Sequence, residues 1–171
     1  MCKNSISIII PIQHKIKNLP KILKACEQLQ PFEIILTIIS SVDDSIDIAR
    51  SYNCEIITLK EPIESTNCYV IGAKKAKGEY LLFLDENYII HSSSLIQFLQ
   101  PLLKQSADVV LNNLDNFFYQ KQQPNIAMIW QQVTNHFFHR PDLNVNSLLF
   151  PPYAMTKEVL EVITSDSLSN P

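Results

Sequence analysis

Glycine is scarce in this chain, since Gly72 and Gly78 are the only two glycines among 171 residues. Loops that wrap phosphate groups with their backbone, of the GxGxxG or GxxxxGK type, need closely spaced glycines. The two glycines match neither spacing. Their scarcity therefore argues against a dinucleotide-binding enzyme and against a P-loop enzyme.

Excess positive charge and long apolar runs are also missing. The net charge is −3 and no basic stripe is visible, so we expect no nucleic-acid partner. No run approaches the ~18 apolar residues of a membrane helix. The first residues lack the apolar stretch and cleavage site of a signal peptide. We therefore expect a cytoplasmic protein with no membrane span.

The four cysteines form no Cys-x-x-Cys pair, and no histidine lies at the spacing of a zinc site. They are Cys2, Cys26, Cys54 and Cys68. Buried free thiols are the expected role, because unpaired cysteine behaves as a small apolar residue.

Short apolar runs alternate with segments of helical periodicity over residues 1–112. The predicted strands cover residues 6–10, 34–39, 54–59, 80–84 and 107–111. We expect Pro11 to end the first of them, because proline cannot donate to a sheet ladder. Strands that alternate with helices predict parallel pairing and right-handed crossovers. The predicted fold class is α/β, a Rossmann-like domain with a mostly parallel sheet flanked by helices.

The pattern changes after residue 113. A helix is predicted over residues 126–138, a short strand over 148–150 and a final helix over 156–163. An aromatic stripe, formed by Phe117, Phe118, Trp130, Phe137 and Phe138, lies in this part. We expect it to serve as core or as a homodimer surface rather than as a platform for sugar stacking.

The strand over residues 80–84 stops at Asp85, and Asn87 follows two residues later. Ligands of open α/β sheets bind at the carboxyl ends of the strands. Oxygen atoms from these two side chains could hold a hard divalent cation beside a diphosphate, although the neutral Asn87 is the weaker ligand. The alternative is that both residues only form the turn after the strand.

The order and spacing of these segments resemble the family 2 glycosyltransferases, whose catalytic domain has the GT-A fold. Residues 6–12 resemble the opening strand of that family, residues 77–85 the stretch leading into its Asp-x-Asp (DXD) motif, and residues 107–110 the strand that follows. The resemblance covers residues 5–112 in register and extends more loosely to about residue 164. Residues 1–112 would form the nucleotide-sugar-binding half of a GT-A domain. Residues 113–171 would form an acceptor-side segment of the same domain, which we expect to be truncated.

The resemblance implies a nucleotide-diphospho-sugar transferase of the hexosyltransferase type, using Mg²⁺ or Mn²⁺. Its partners would be a nucleoside diphosphate sugar and a glycan, lipid or protein acceptor. The implied donor-binding residues are Pro11, His14, Ser41, Asp43 and Asp85, and the implied metal ligands are Asp85 and Asn87. His14 could instead be a solvated loop residue. The alternative for Asp43 is that its charge does no more than complement the dipole of the helix that begins there.

Departures from the family pattern concentrate in the polar site. Ile38 and Ile39 replace an Asp-Asp pair that holds the base and ribose, Glu64 lies where the family is basic, and Asn87 replaces the last Asp of the motif. No catalytic base is identifiable. We therefore expect a glycosyltransferase with a degenerate donor site. The alternative is a non-catalytic GT-A-like module that binds a partner, and a nucleotidyltransferase-type variant ranks behind both.

Overall fold

The computed structural model describes residues 5–13, 17–39, 43–59, 65–113, 133–137 and 151–166. The strands are β1 (Ile6–Ile12), β2 (Glu33–Ile39), β3 (Glu55–Leu59), β4 (Tyr80–Phe83), β5 (Val109–Leu111) and β6 (Tyr153–Thr156). The helices are α1 (Leu19–Glu27), α2 (Asp43–Ser51), α3 (Ser65–Lys75), α4 (Ser92–Leu103) and α5 (Lys157–Asp166). Two compact units result, one of Met1–Val110 with Ala154–Pro171 and one of Leu111–Tyr153.

The six strands form one sheet in the order β3-β2-β1-β4-β6-β5. β1 pairs in parallel with β2 and with β4, and β2 pairs in parallel with β3. All seven residues of β1 are buried, because helices cover both faces of a parallel sheet. The predicted α/β Rossmann-like fold with a mostly parallel sheet is thus confirmed.

β1 does not end before Pro11, as the sequence had predicted, but continues to Ile12. Pro11 pairs with Thr37 of β2 in the parallel register. Successive residues of a strand point their backbone groups to opposite neighbours. The Ile9 carbonyl faces β4, where it accepts the Leu84 N–H at 3.0 Å, so the nitrogen of Pro11 faces the same side. In this register the next acceptor would be the Leu84 carbonyl, just after β4, and Pro11 has no N–H to donate to it. That carbonyl accepts the Tyr69 hydroxyl at 3.0 Å instead, so it stays satisfied although the ladder bond is missing.

Two glycines let neighbouring elements approach closely. A Cβ on Gly72 of α3 would lie 2.6 Å from Ile9 Cγ2, so this helix packs directly on β1. A Cβ on Gly78 would lie 2.6 Å from the carbonyl oxygen of Ser5. The Gly78 N–H donates to Ser7 Oγ at 2.8 Å, which fixes the start of β4 beside β1.

The second half agrees less with the sequence prediction. β6 was missed, because its four residues follow two prolines and lack a long apolar run. Its last residue donates a backbone N–H to the Asp108 carbonyl, and the Lys157 N–H donates to the Glu79 carbonyl. Because those acceptors precede β5 and β4, β6 runs in the direction opposite to both.

The final helix was predicted over residues 156–163 and spans Lys157–Asp166. Residues 133–137 are helical, within the helix predicted over residues 126–138, while the strand predicted over residues 148–150 lies outside the described residues. Across the described segments, no helix is both long and apolar enough to cross a membrane.

Candidate functional site

The turn after β4 is organised by Asp85. Its Oδ1 atom accepts the backbone N–H of Asn87 at 2.7 Å and the side-chain Nδ2 of Asn87 at 2.9 Å. The first of these bonds defines an Asx turn, in which an aspartate side chain satisfies the backbone two residues on. Asp85 is half-buried and Asn87 is exposed, so the turn faces solvent at the carboxyl end of the sheet.

The orientation of the Asn87 amide bears on its suitability as a metal ligand. Its NH₂ group points to Asp85, because the opposite orientation would bring two oxygens together. The carbonyl oxygen of Asn87 therefore points away from Oδ1 of Asp85. Asp85 can form the turn and bind a ligand at the same time. Its Oδ1 atom accepts the two bonds of the turn, and the second oxygen of the carboxylate can contact a ligand.

A divalent cation would find few protein ligands here. Among the residues that the structure describes, no group of three His, Cys, Asp or Glu side chains could hold a metal ion. Mg²⁺ is commonly bound by one or two carboxylates together with substrate phosphates. The described side chains of the turn, Asp85 and Asn87, thus fit a cation that arrives with a diphosphate.

Helix α3 contacts the residues just before Asp85. The hydroxyl of Tyr69 donates to the backbone carbonyl of Leu84 at 3.0 Å. The Tyr69 ring lies edge-on to Phe83, with ring centroids 5.9 Å apart and planes at 70°. Tyr69 is only 8% exposed, so the hydrogen bond is shielded from water.

Glu86, directly after Asp85, turns inward. It is 6% exposed, and its Oε2 atom accepts the backbone N–H of Gln13 at 2.7 Å. The buried thiol of Cys68 lies near the same group. Burial chiefly raises the pKa of Cys68 and the Glu86 carboxylate adds to that rise, while a hydrogen bond with the Gln13 side chain opposes it. A small polar cluster therefore lies beneath the turn.

The remaining predicted donor residues are only partly described. Pro11 is buried in β1, the strand beside β4, and Asp43 is the first residue of α2. His14 and Ser41 lie outside the described residues, as does Glu64. Ile38 is fully buried in β2, opposite Ile12, so an alkyl group of the core occupies a position where the resemblance implies an acidic residue.

Three residues of this site were missed from the sequence: Tyr69, Glu86 and Gln13. An acidic residue inside an Asp-x-Asn turn was the available signal for Glu86. Tyr69 offered none, because an aromatic residue on a helix most often belongs to the core. The Gln13 contribution comes from its backbone, which side-chain patterns do not reveal.

A cavity of about 260 Å³ lies elsewhere in the same unit. Glu79, Tyr80, Asp108, Thr156 and Lys157 contribute to its lining. Tyr80 is the first residue of β4, so this cavity lies at the end of the strand opposite to Asp85. Its position does not suit a ligand of the Asp85 turn.

Comparison with known proteins assigns a family to this architecture. The family model described as Glycosyl transferase family 2 matches residues 7–163. A poly(ribitol-phosphate) beta-glucosyltransferase of Bacillus spizizenii is 24% identical over 176 aligned positions, which cover 90% of this chain and 28% of that protein.

Solved structures share the fold at low sequence identity. Glucosyl-3-phosphoglycerate synthase of Mycobacterium tuberculosis, in complex with Mn²⁺, uridine diphosphate and glucosyl-3-phosphoglycerate, superposes with a TM-score of 0.70 at 16% identity. The same enzyme with Mn²⁺, UDP-glucose and glycerol 3-phosphate gives a TM-score of 0.71. Both matches cover 91% of this chain and 58% of the solved chain.

The chain thus spans less than a third of the curated relative and somewhat more than half of the solved enzyme. Likeness at 16% identity shows the fold alone. The family model, by contrast, covers most of the 171 residues. This chain belongs to glycosyl transferase family 2.

Proposed function

We propose that this chain provides the donor-binding part of a glycosyltransferase, which moves a sugar from a nucleoside diphosphate sugar to an acceptor, and that its donor site is weakened. One observation carries the proposal: Asp85 lies at the carboxyl end of β4, in the turn beside β1, within a chain that belongs to this family. Ligands of open α/β sheets bind at this edge.

Asp85 would hold the donor, with Pro11, His14, Ser41 and Asp43 as further donor-side residues. Asp85 and Asn87 would contact a Mg²⁺ or Mn²⁺ ion bound together with the diphosphate. When bound, such an ion neutralises charge on the departing diphosphate as a Lewis acid. Asp85 itself orients the ligand, because its position is set by the hydrogen bonds of the turn.

Two features support a weakened site. Asn87 offers a neutral oxygen where a carboxylate would bind a hard cation more strongly. Ile38, fully buried, offers no acceptor for a ribose hydroxyl or a base. Both features reduce affinity for a nucleoside diphosphate and leave the hydrophobic scaffold intact.

The acceptor side would lie in residues 113–171. The two relatives named above act on acceptors that carry phosphate, a ribitol-phosphate polymer and phosphoglycerate. A small phosphorylated hydroxy compound, either a polyol phosphate or a phosphorylated hydroxy acid, is therefore the first acceptor to test here, ahead of other glycans, lipids and proteins.

The same two features favour the second candidate, a non-catalytic module with the GT-A fold that binds a partner. Weak nucleotide binding that depends on Asp85 supports the enzyme, and absence of any nucleotide binding supports the module.

Calorimetry with uridine diphosphate and Mn²⁺ tests the proposal. We expect weak binding by the parent chain, with a dissociation constant above the low micromolar range, and no binding by Asp85→Ala. The matched control is Asp108→Ala, an exposed aspartate before β5 at the other end of the sheet. Equal binding by the parent and Asp85→Ala would refute the assignment of Asp85. Tight binding of another nucleotide would indicate a changed donor.

A further inference from the structure

The turn that carries Asp85 is held from two sides by buried groups. On one side, the Tyr69 hydroxyl of α3 donates to the Leu84 carbonyl, immediately before Asp85. On the other side, the Glu86 carboxylate, immediately after Asp85, accepts the Gln13 N–H. Each contact fixes a neighbour of Asp85 in the chain.

The geometry of β1 explains why the Glu86 carboxylate accepts the Gln13 N–H. Ile9 and Pro11 point their backbone groups toward β4, and so does Gln13, because residues two apart face the same neighbour. The paired residues of β4 end at Phe83, and Leu84 then donates its N–H to the Ile9 carbonyl. The N–H of the half-buried Gln13 lies farther along, beyond the end of β4, and an N–H that is shielded from water needs an acceptor. Glu86 Oε2 supplies the acceptor that the strand no longer provides.

Burial separates the residues that hold the turn from those that would meet a ligand. Tyr69 is 8% exposed and Glu86 is 6% exposed. Asp85 is half-buried and Asn87 is exposed. Ligand-binding groups keep their geometry when buried hydrogen bonds lock the residues beside them.

We propose that Tyr69 and Glu86 are positioning residues, which fix the turn from Asp85 to Asn87 in its binding geometry before a donor arrives. Glu86 acts through the Gln13 N–H and Tyr69 through the Leu84 carbonyl, and neither touches the donor. The identity of the ligand in this inference rests on the proposed function. The rigidity of the turn can be measured without any ligand.

Hydrogen exchange of single backbone amides measures the local stability of the turn directly. In Glu86→Ala, we expect the Gln13 and Asn87 amides to exchange on the order of tenfold faster, as for loss of one hydrogen bond. Glu86→Gln keeps an acceptor oxygen, so both amides should exchange almost as slowly in this variant as in the parent chain. Tyr69→Phe keeps the ring but loses the hydroxyl. In this variant the Asn87 amide should exchange faster, and the exchange rate of the Gln13 amide should not change.

Two matched controls separate positioning from general loosening. Glu79→Ala removes an exposed carboxylate before β4, and Tyr80→Phe removes a hydroxyl from a buried tyrosine at the opposite end of β4. Neither should change the two amides. Exchange rates that stay at the parent value in both Glu86→Ala and Tyr69→Phe would overturn the inference. Should Glu86→Ala not fold, Tyr69→Phe decides by the same criterion.

Affinity for uridine diphosphate with Mn²⁺ gives the functional readout. We expect Glu86→Ala and Tyr69→Phe to weaken it about three- to tenfold, with Glu86→Gln close to the parent. Equal or tighter binding by Glu86→Ala would overturn the inference, since Glu86 would then compete with the ligand for Gln13. If the parent chain binds no nucleotide, the proposed function fails, and the exchange rates alone decide whether the turn is held.

Discussion

Asn87 donates its backbone N–H and its side-chain NH₂ to the same oxygen of Asp85, at 2.7 and 2.9 Å. An aspartate at position 87 could form only the first of these bonds. The second would become a contact between two carboxylates, which repel each other unless a cation lies between them. Asparagine at position 87 therefore stabilises the turn when no metal is bound. Aspartate at the same position would stabilise the turn only when a cation is bound.

Asn87→Asp should lower the stability of the metal-free chain by about 1 kcal/mol or less, because the turn is partly solvated. Addition of Mn²⁺ should raise the melting temperature of Asn87→Asp and leave that of the parent almost unchanged. Thermal unfolding with and without Mn²⁺ measures both effects. Asp47→Asn, an exposed change on α2, is the control. A variant that is equally stable without metal and unaffected by Mn²⁺ would contradict this view of the turn.

Gly78→Ala should destabilise the chain more than Gly72→Ala. The added Cβ at position 78 meets backbone atoms of Ser5 and Ser7, whereas at position 72 it first meets a side-chain methyl of Ile9. We expect a loss of about 1–3 kcal/mol at position 72 and a larger loss at position 78. Urea unfolding gives both values, with the exposed Ser93→Ala as a neutral reference. An unchanged midpoint for Gly78→Ala would show that the start of β4 is not packed as described.

Stability should fall at alkaline pH through Cys26. Burial chiefly, with the neighbouring Cys54 and Glu27, raises the pKa of this thiol from 9.0 to about 12. The folded chain then keeps a proton that the unfolded chain loses, so this stability is complete below pH 9 and is lost as the pH rises from 9 toward 12. The loss per thiol is about 1.4 kcal/mol per pH unit within that window.

Cys26→Ala isolates this contribution from those of other groups that titrate at high pH. Between pH 9 and 11, the free energy of unfolding should decline less steeply with pH in the variant than in the parent. Urea unfolding at several pH values provides the slopes. Identical slopes in the two proteins would mean that Cys26 is not the group responsible.

The sequence predicted the sheet well because strands buried on both faces have an unmistakable apolar composition. Residues 6–10 and 34–39 illustrate this, since their mostly β-branched, apolar side chains are typical of strands in a parallel sheet that is covered on both faces. Pro11 was misjudged because its tolerance depends on another donor for the Leu84 carbonyl, which the missing N–H would have reached and which the Tyr69 hydroxyl satisfies instead. That depends on how α3 packs beside β1 and β4, which local sequence does not contain.

Asp85 was identified from its position after an apolar strand, but the residues that hold it were not. The contact between Glu86 and Gln13 joins positions 73 residues apart. The contact between Tyr69 and Leu84 ends on a backbone carbonyl. The sequence could single out Glu86 as an acidic residue inside the turn, but composition and periodicity do not reveal its partner or that of Tyr69, because both contacts depend on how α3 and β1 pack beside the turn.

Whether the turn from Asp85 to Asn87 binds the donor is decided by calorimetry with uridine diphosphate and Mn²⁺ on four proteins, namely the parent, Asn87→Asp, Asp85→Ala and the double variant. We expect tighter binding by Asn87→Asp, by about one to a few kcal/mol and only with Mn²⁺, since a carboxylate binds a hard cation better than an amide does. We also expect Asp85→Ala to abolish binding in both backgrounds. If neither change alters binding, the turn from Asp85 to Asn87 is not a donor site, and the chain is a binding module with a transferase fold.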